Sequence, residues 1–328
     1  MRHLKAALLT ALLTTPAAAQ EIFPDPGRPI ILVNNFSAGG QISLALRDFE
    51  PFFAEEFGTG IQVEQIEGAA GLIGYNTVFA RPADGYTILT YSTNFGPHTF
   101  TSLAQTPPPW TFEDWEPLGV YADNISLGFM VRADSPIQTF PDMVRAAKAD
   151  PGGLTVGTIG PGRIEDVQIE ELKQVFGIDV NNVYYDSGST LFTDLLTGDL
   201  DVIMSAAIPY VDNSDVRIIT MLAKGMPDSF PYRDLKTMAD WQDELGYDAD
   251  DLTTLSRSQV YGLLVKAGLP DATFDRLVAG LKAVAENPEW QAQVADYRDT
   301  VYYPPEEAKA IMTTLRDGIL EIMANKQE

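Results

Sequence analysis

The chain has 328 residues, 22 of them basic and 46 acidic, a formal net charge of −24, two histidines and no cysteine. These totals exclude disulfides, thiolate zinc sites and cysteine nucleophiles, and they argue against nucleic acid or an anionic membrane surface as a partner. The length suits two domains, each able to bury its own core.

Arg2 and Lys5, the apolar run from Ala6 to Leu13 and the small residues Ala17-Ala18-Ala19 predict a secretory signal peptide cleaved near Ala19, hence a periplasmic destination. The apolar run is shorter than the roughly 20 residues a membrane-spanning helix needs, so no membrane insertion is expected. Cleavage removes His3, two basic residues and no acid, which takes the charge from −24 to −26 and leaves His98 as the one imidazole. His-rich metal sites and most acid–base mechanisms are thereby disfavoured, and no cofactor, metal or catalytic residue is expected.

The Pro-bounded apolar run from Arg28 to Val33 reads as a buried parallel strand. The glycine turn Phe36-Ser37-Ala38-Gly39-Gly40 follows it, and then a helix from Ile42 to Phe57 that stops at Gly58. A strand from Ile61 to Ile66, a small-residue helix from Gly68 to Phe79 and a strand from Tyr86 to Tyr91 complete a β-α-β-α-β pattern, which predicts a mainly parallel sheet with helices on both faces. The segment from Pro107 to Pro117 reads as irregular, with Trp110, Trp115 and Trp241 expected at lobe edges; Ile125 to Val131 reads as a long strand able to cross between lobes.

The second half repeats this grammar: a helix from Pro141 to Lys148, a strand from Leu154 to Val156, a glycine loop from Gly157 to Gly162, a helix from Glu165 to Phe176 and a strand from Val180 to Tyr184. A helix beginning at Phe192, strands at Val202 to Met204 and Arg217 to Met221, and an ill-defined connection from Pro227 to Asp251 come next. A returning strand from Val260 to Val265 and amphipathic helices from Asp271 to Ala285 and Pro305 to Ala324 close the chain. The predicted organisation is a signal peptide at 1–19, one lobe from 20–125 and 252–328, and a second lobe from 126–251.

Both glycine turns follow a strand and open a helix, where unpaired N–H groups and the helix dipole attract anions without a basic side chain. Ligands of open α/β sheets lie beyond the carboxyl ends of the strands, so both turns are expected to face one interlobe cleft.

Three stretches carry a family resemblance: PIILVNNFSAGGQISLALR from Pro29 to Arg47, GAAGLIGYNTVFARPADGYTILT from Gly68 to Thr90, and PGGLTVGTIGPG from Pro151 to Gly162, followed by LLTGDLDV from Leu195 to Val202. In these the chain resembles the extracytoplasmic receptors of tripartite tricarboxylate transporters, the Bordetella uptake gene family. The resemblance implies an α/β fold of the type II periplasmic-binding-protein kind, with two lobes around an interlobe cleft. It also implies a ligand carboxylate held at the helix N-terminus after the first strand, and a monomeric receptor that hands a small organic acid to membrane permease subunits. Family ligands include di- and tricarboxylates, amino-acid-like acids and aromatic acids.

Carried over residue by residue, the resemblance places Phe36, Ser37, Ala38, Gly39, Gly40, Gln41 and Ser43 at the first loop, and Ser92, Thr93 and Asn94 after the third strand. Thr158, Gly160 and Gly162 form the opposing wall, with Arg163, Asp166, Tyr185, Asp186 and Ser205 beside the cleft. Many relatives continue the first loop as Gly-Thr-Asp where this chain has Gln41, Ile42 and Ser43, and Arg163, Asp166 and Asp186 also depart from the family pattern. Arg163 either grips a carboxylate or pairs with Glu165 or Asp166. Asp166 and Asp186 either bind an amino or hydroxyl group or serve as a first-turn acid and a solvated turn. Transport binding leads over a sensory receptor of the same fold and over an exported carboxylate-dependent hydrolase, for which no nucleophile motif is present.

Overall fold

The computed structural model describes residues 23–326 apart from 37, 39–40, 94–95, 104–105, 125–126, 160–163, 186–187, 227–231, 258 and 296–298. The expected signal peptide therefore lies outside the described residues. The first part of the chain forms β1 (Ile30–Asn34), α1 (Gln41–Phe57), β2 (Ile61–Gln65), α2 (Leu72–Phe79), β3 (Thr87–Ser92), α3 (Pro97–Leu103) and β4 (Trp115–Asn124). The middle forms β5 (Leu127–Arg132), α4 (Phe140–Ala149), β6 (Thr155–Ile159), α5 (Ile164–Phe176), β7 (Asn181–Tyr185), α6 (Gly188–Thr197), β8 (Val202–Ala206), β9 (Val216–Met221) and α7 (Gln242–Leu245). The last part forms β10 (Gln259–Lys266), α8 (Asp271–Ala285), α9 (Pro288–Val294), β11 (Asp299–Tyr303) and α10 (Pro305–Asn325).

These strands make two sheets, ordered β11-β4-β10-β3-β1-β2 and β7-β6-β8-β5-β9. Each sheet is mixed, which corrects the mainly parallel expectation. β1 pairs parallel with β2 and β3, and β6 with β7 and β8, but β10 runs antiparallel to β3 and β4, and β5 antiparallel to β8 and β9. The reason is topological: β5 and β10, the strands that bring the chain into a sheet from the other half, run against those joined by helical crossovers.

β1 is apolar from Ile30 to Val33 because both faces are covered. On one side Phe49 and Phe53 of α1, Leu277 and Leu281 of α8 and Trp290 form a core. On the other, Tyr75, Phe100, Trp110, Trp115 and Met312 form a second. Trp110 and Trp115 are thus core residues rather than edge residues, and the last three residues of the segment read as irregular, 115–117, open the ten-residue strand β4. Of the long strand expected from Ile125 to Val131, Leu127 to Val131 belong to β5, and 125–126 lie outside the described residues. Gly157 and Thr158, read as loop, belong to β6. Gly157 is there for packing, since a Cβ would stand 2.5 Å from both Leu191 and Leu200.

Two features join the halves. Glu171 of α5, buried, accepts from the backbone N–H groups of Thr253, Thr254 (2.8 Å) and Leu255 (2.9 Å), just before β10. α10 rests on the first sheet at one end, where Lys309 Nζ donates to the carbonyls of Phe112 (3.3 Å) and Trp115 (3.0 Å). At the other end its Ile319 and Ile322 pack on Ile164 and Val167 of α5. Among the described residues no helix is long and apolar enough to cross a membrane.

Replacing Glu171 with Ala orphans these buried donors and is expected to lower the unfolding free energy by about 3 kcal/mol. Urea denaturation of wild type and variant measures this; a change within experimental scatter would show that the clasp contributes nothing.

Candidate functional site

The loops that follow β1, β2 and β3 lie together at one end of the first sheet, because those three strands run in the same direction. Asn34, the last residue of β1, organises the first loop: its Nδ2 donates to Ser43 Oγ (2.7 Å) and Gln65 Oε1 (2.9 Å), and its Oδ1 accepts from Phe36 N (3.2 Å). Gln65 Nε2 donates to the Phe36 carbonyl and to Glu67 Oε1 (2.9 Å). Ala38 N–H, two residues further on, donates to the same Glu67 oxygen at 3.1 Å. Asn35 is buried beneath, accepting from Thr90 Oγ1 (3.1 Å). Its amide abuts Gly71, which at φ +103° occupies the left-handed region where a Cβ would be strained and would also strike Asn35 Nδ2.

Ser92 ends β3 and Thr93 follows it. Both hydroxyls receive hydrogen bonds from the returning strand, Ser92 Oγ from Gln259 Nε2 (3.1 Å) and Thr93 Oγ1 from Val260 N (3.2 Å). Their first duty is thus to seat β10. His98, fully buried, meets the Thr93 carbonyl at 2.7 Å through Nε2. A carbonyl can only accept, so Nε2 carries the proton. Burial pushes the His98 pKa down to about 4; the bond to Thr93 opposes that shift and Arg316 adds to it, so the ring is neutral near pH 7. His98 is a structural histidine.

In the second sheet, Thr158 is buried and donates from Oγ1 to Asn182 Oδ1 (3.0 Å). Asp166 is a buried acid in the first turn of α5, and burial together with its hydrogen bond to Tyr184 raises that phenol to about 12. Tyr185 donates its hydroxyl to Asp194 Oδ2 (2.7 Å), a bond that, with burial, raises its pKa to about 12. Ser205 sits half-buried on β8 opposite Gly128. Ser37, Gly39, Gly40, Asn94, Gly160, Gly162, Arg163, Asp186 and the side chain of Gln41 lie outside the described residues.

A cavity of about 570 Å³ lies between the two halves, and Thr93 is the one described sequence candidate in its lining. Across it stand Ile164 and Gln168 of α5, with Gln168 buried and bonded weakly to the Thr254 carbonyl (3.5 Å). The end of β3 and the N-terminus of α5 thus face one space. Asp123, Lys224, Arg257 and Glu307 add charge of both signs to the lining. Lys224 pairs with Asp250, and Arg257 donates to the Thr253 carbonyl (2.9 Å). Sequence reading missed these residues, since they come from five separate segments and no spacing links them. Among the described residues no group of three His, Cys, Asp or Glu side chains is placed to hold a metal.

Residues 45–317 match the model of the tripartite tricarboxylate transporter family receptor. A curated relative from Cupriavidus necator, "UPF0065 protein in gbd 5'region", is 27% identical over 304 residues, covering 89% of this chain and 85% of the relative. Among solved structures, the periplasmic binding protein BugD superposes with a TM-score of 0.70 at 23% identity, covering 92% of this chain and 98% of that one. R. palustris Rpa4515, solved with adipate, gives 0.73 at 18% identity, covering 91% and 98%. Both share the two-lobed α/β architecture of periplasmic binding proteins.

Because the folded pKa of His98 lies below its unfolded value of 6.5, its neutral burial favours the fold above pH 6.5 and that contribution is lost as pH falls toward 4. Between pH 7 and pH 4 the wild type should lose about 3 kcal/mol more stability than His98→Gln. Parallel pH profiles in urea denaturation would contradict the neutral assignment.

Proposed function

This chain belongs to the tripartite tricarboxylate transporter receptor family, and we propose that it is an exported periplasmic receptor that captures a small carboxylate-bearing solute and delivers it to permease subunits in the membrane. The family is one of solute-binding receptors, not enzymes. The lobes are 20–125 with 252–328, and 126–251, a division supported by the partition of strands between the two sheets. The receptor works as a monomer, closing on its ligand between the lobes.

One observation carries the carboxylate assignment. Ala38 N–H, in the loop after β1, already receives a carboxylate oxygen from Glu67, so the loop presents a donor suited to that group. The solved relative with adipate supports the same ligand chemistry. The backbone N–H groups of Ser37, Gly39 and Gly40 extend this donor set in the proposal, with Thr158, Gly160, Gly162 and Arg163 on the opposing wall. Such main-chain donors suit an acidic protein, because exposed charges beyond ~8 Å are largely screened at physiological salt and the local donors dominate.

A thermal-shift screen of mono-, di-, tri- and aromatic carboxylates tests the reading. A ligand at 100 times its dissociation constant adds about 2.7 kcal/mol of stability, without turnover of the acid. If no carboxylate stabilises the protein, the assignment fails. Gly40→Val should weaken binding of the responding acid at least tenfold while leaving the ligand-free melting temperature nearly unchanged; retained affinity would remove the loop from the site.

A further inference from the structure

The contact between Glu67 and Ala38 has a second consequence. The first loop is held at Phe36 by three side chains: Asn34 takes its N–H, and Gln65 and Ser43 (3.4 Å) donate to its carbonyl. None of these bonds involves Glu67. Glu67 reaches the loop at Ala38, and both residues are exposed, so an anion arriving from solvent can approach the same amide. Gln65 Nε2 orients the carboxylate from behind by donating to the oxygen that Ala38 shares. The segment that carries Glu67 turns sharply, with Gly68 at φ +120° and Ala69 at φ +48°, an uncommon conformation for a residue with a Cβ.

We propose that Glu67 is a resident competitor of the ligand: its carboxylate occupies the Ala38 amide in the ligand-free protein and must be displaced when an external carboxylate binds there. The inference rests on the carboxylate reading of the first loop. The bond that the ligand gains at Ala38 replaces one the protein already makes, so the net gain is smaller than the contact suggests. The displaced Glu67 also stays a few ångströms from the incoming anion, and like charges at that range in a wet site weaken affinity about fivefold. Glu67 therefore sets how tightly the receptor holds anions, and it raises the threshold for acids that bring negative charge alone.

The test uses the mature full-length protein and its Glu67→Gln and Glu67→Ala variants, titrated calorimetrically with benzoate, succinate and citrate. In low salt both variants should bind the responding acids about fivefold more tightly than wild type. The gain should shrink at about 1 M salt, where the screening length falls to ~3 Å. A responding acid that binds the variants but not the wild type also supports competition. If either variant binds no more tightly than wild type, the proposal is overturned; in particular, weaker binding by Glu67→Ala with recovery in Glu67→Gln would make Glu67 a strut for the loop. If none of the three proteins binds any of the acids, the carboxylate reading itself falls and takes this inference with it.

Discussion

Residues 259–266 pair antiparallel with β3 on one side and β4 on the other, and no other strand fills that place in the first sheet. The chain leaves the sheet at β4, builds the whole five-stranded sheet, and only then returns to join β3 to β4. The first sheet is therefore incomplete until the second has been traversed, a non-local pairing whose loop-closure cost is paid before its hydrogen bonds form. The seam is correspondingly well fastened. Gln259 and Val260 bond to Ser92 and Thr93 as the strand enters, and Glu171 grips the backbone at 253–255 immediately before it. One short stretch thus links α5 of the second half to the end of β3 in the first, and so ties the two sides of the shared cavity to each other.

The strong negative charge of the chain bears less on this arrangement than its size suggests. Most of the ion pairs lie at the surface, such as Arg28 with Asp84 and Arg145 with Glu244, and exposed pairs of that kind contribute at most about 1 kcal/mol each. The aromatic and aliphatic cores on both faces of each sheet supply the stability instead. At the candidate site the same logic holds at shorter range. A single acid in contact with the first loop, Glu67, matters more to an approaching anion than the distant remainder of the acidic surface.

The sequence made the repeated strand–turn–helix grammar legible because apolar runs such as Ile30 to Val33 and glycine stops such as Gly58 are local signals. It also exposed the family through short blocks around Gly39, Gly71 and Gly157. What it concealed were elements whose identity is set by distant partners. β4 begins Trp-Glu-Pro, which reads as a breaker, yet its pairing with β10 and β11 overrides that reading. β11 and α9, five and seven residues long, are too short to be seen before their neighbours are known. Gly157 resembled a turn residue, when its lack of a side chain serves the close approach of Leu191 and Leu200. At the candidate site, Ser92 and Thr93 were legible as polar residues at a strand end, but their engagement by β10 was not, since it depends on residues more than 160 positions away. Glu67 was not singled out for a similar reason: an exposed acid after a strand carries no signal until the loop it touches is folded.

α10 constrains how the halves can move. Its first turns are bound to the first sheet by Lys309, whose ammonium also lies 3.9 Å from the Phe112 ring centroid. Its last turns are bound to α5 through Ile319 and Ile322, through Gln174 Nε2 donating to the Ile322 carbonyl (2.9 Å), and through Lys326 with Glu170 (3.0 Å). A helix of 21 residues pinned at both ends cannot lengthen, so a change in the angle between the halves must occur as sliding at its weaker contact. The contact with the first sheet uses buried aromatic packing and charge-assisted bonds to carbonyls, whereas that with α5 is a small apolar cluster with a partly exposed ion pair. Movement is therefore expected to be taken up between α10 and α5. Because α5 also begins at the edge of the shared cavity and carries Glu171, the same sliding would shift Ile164 against Thr93 and draw the backbone at 253–255 with it, coupling the width of the cavity to one helix–helix contact.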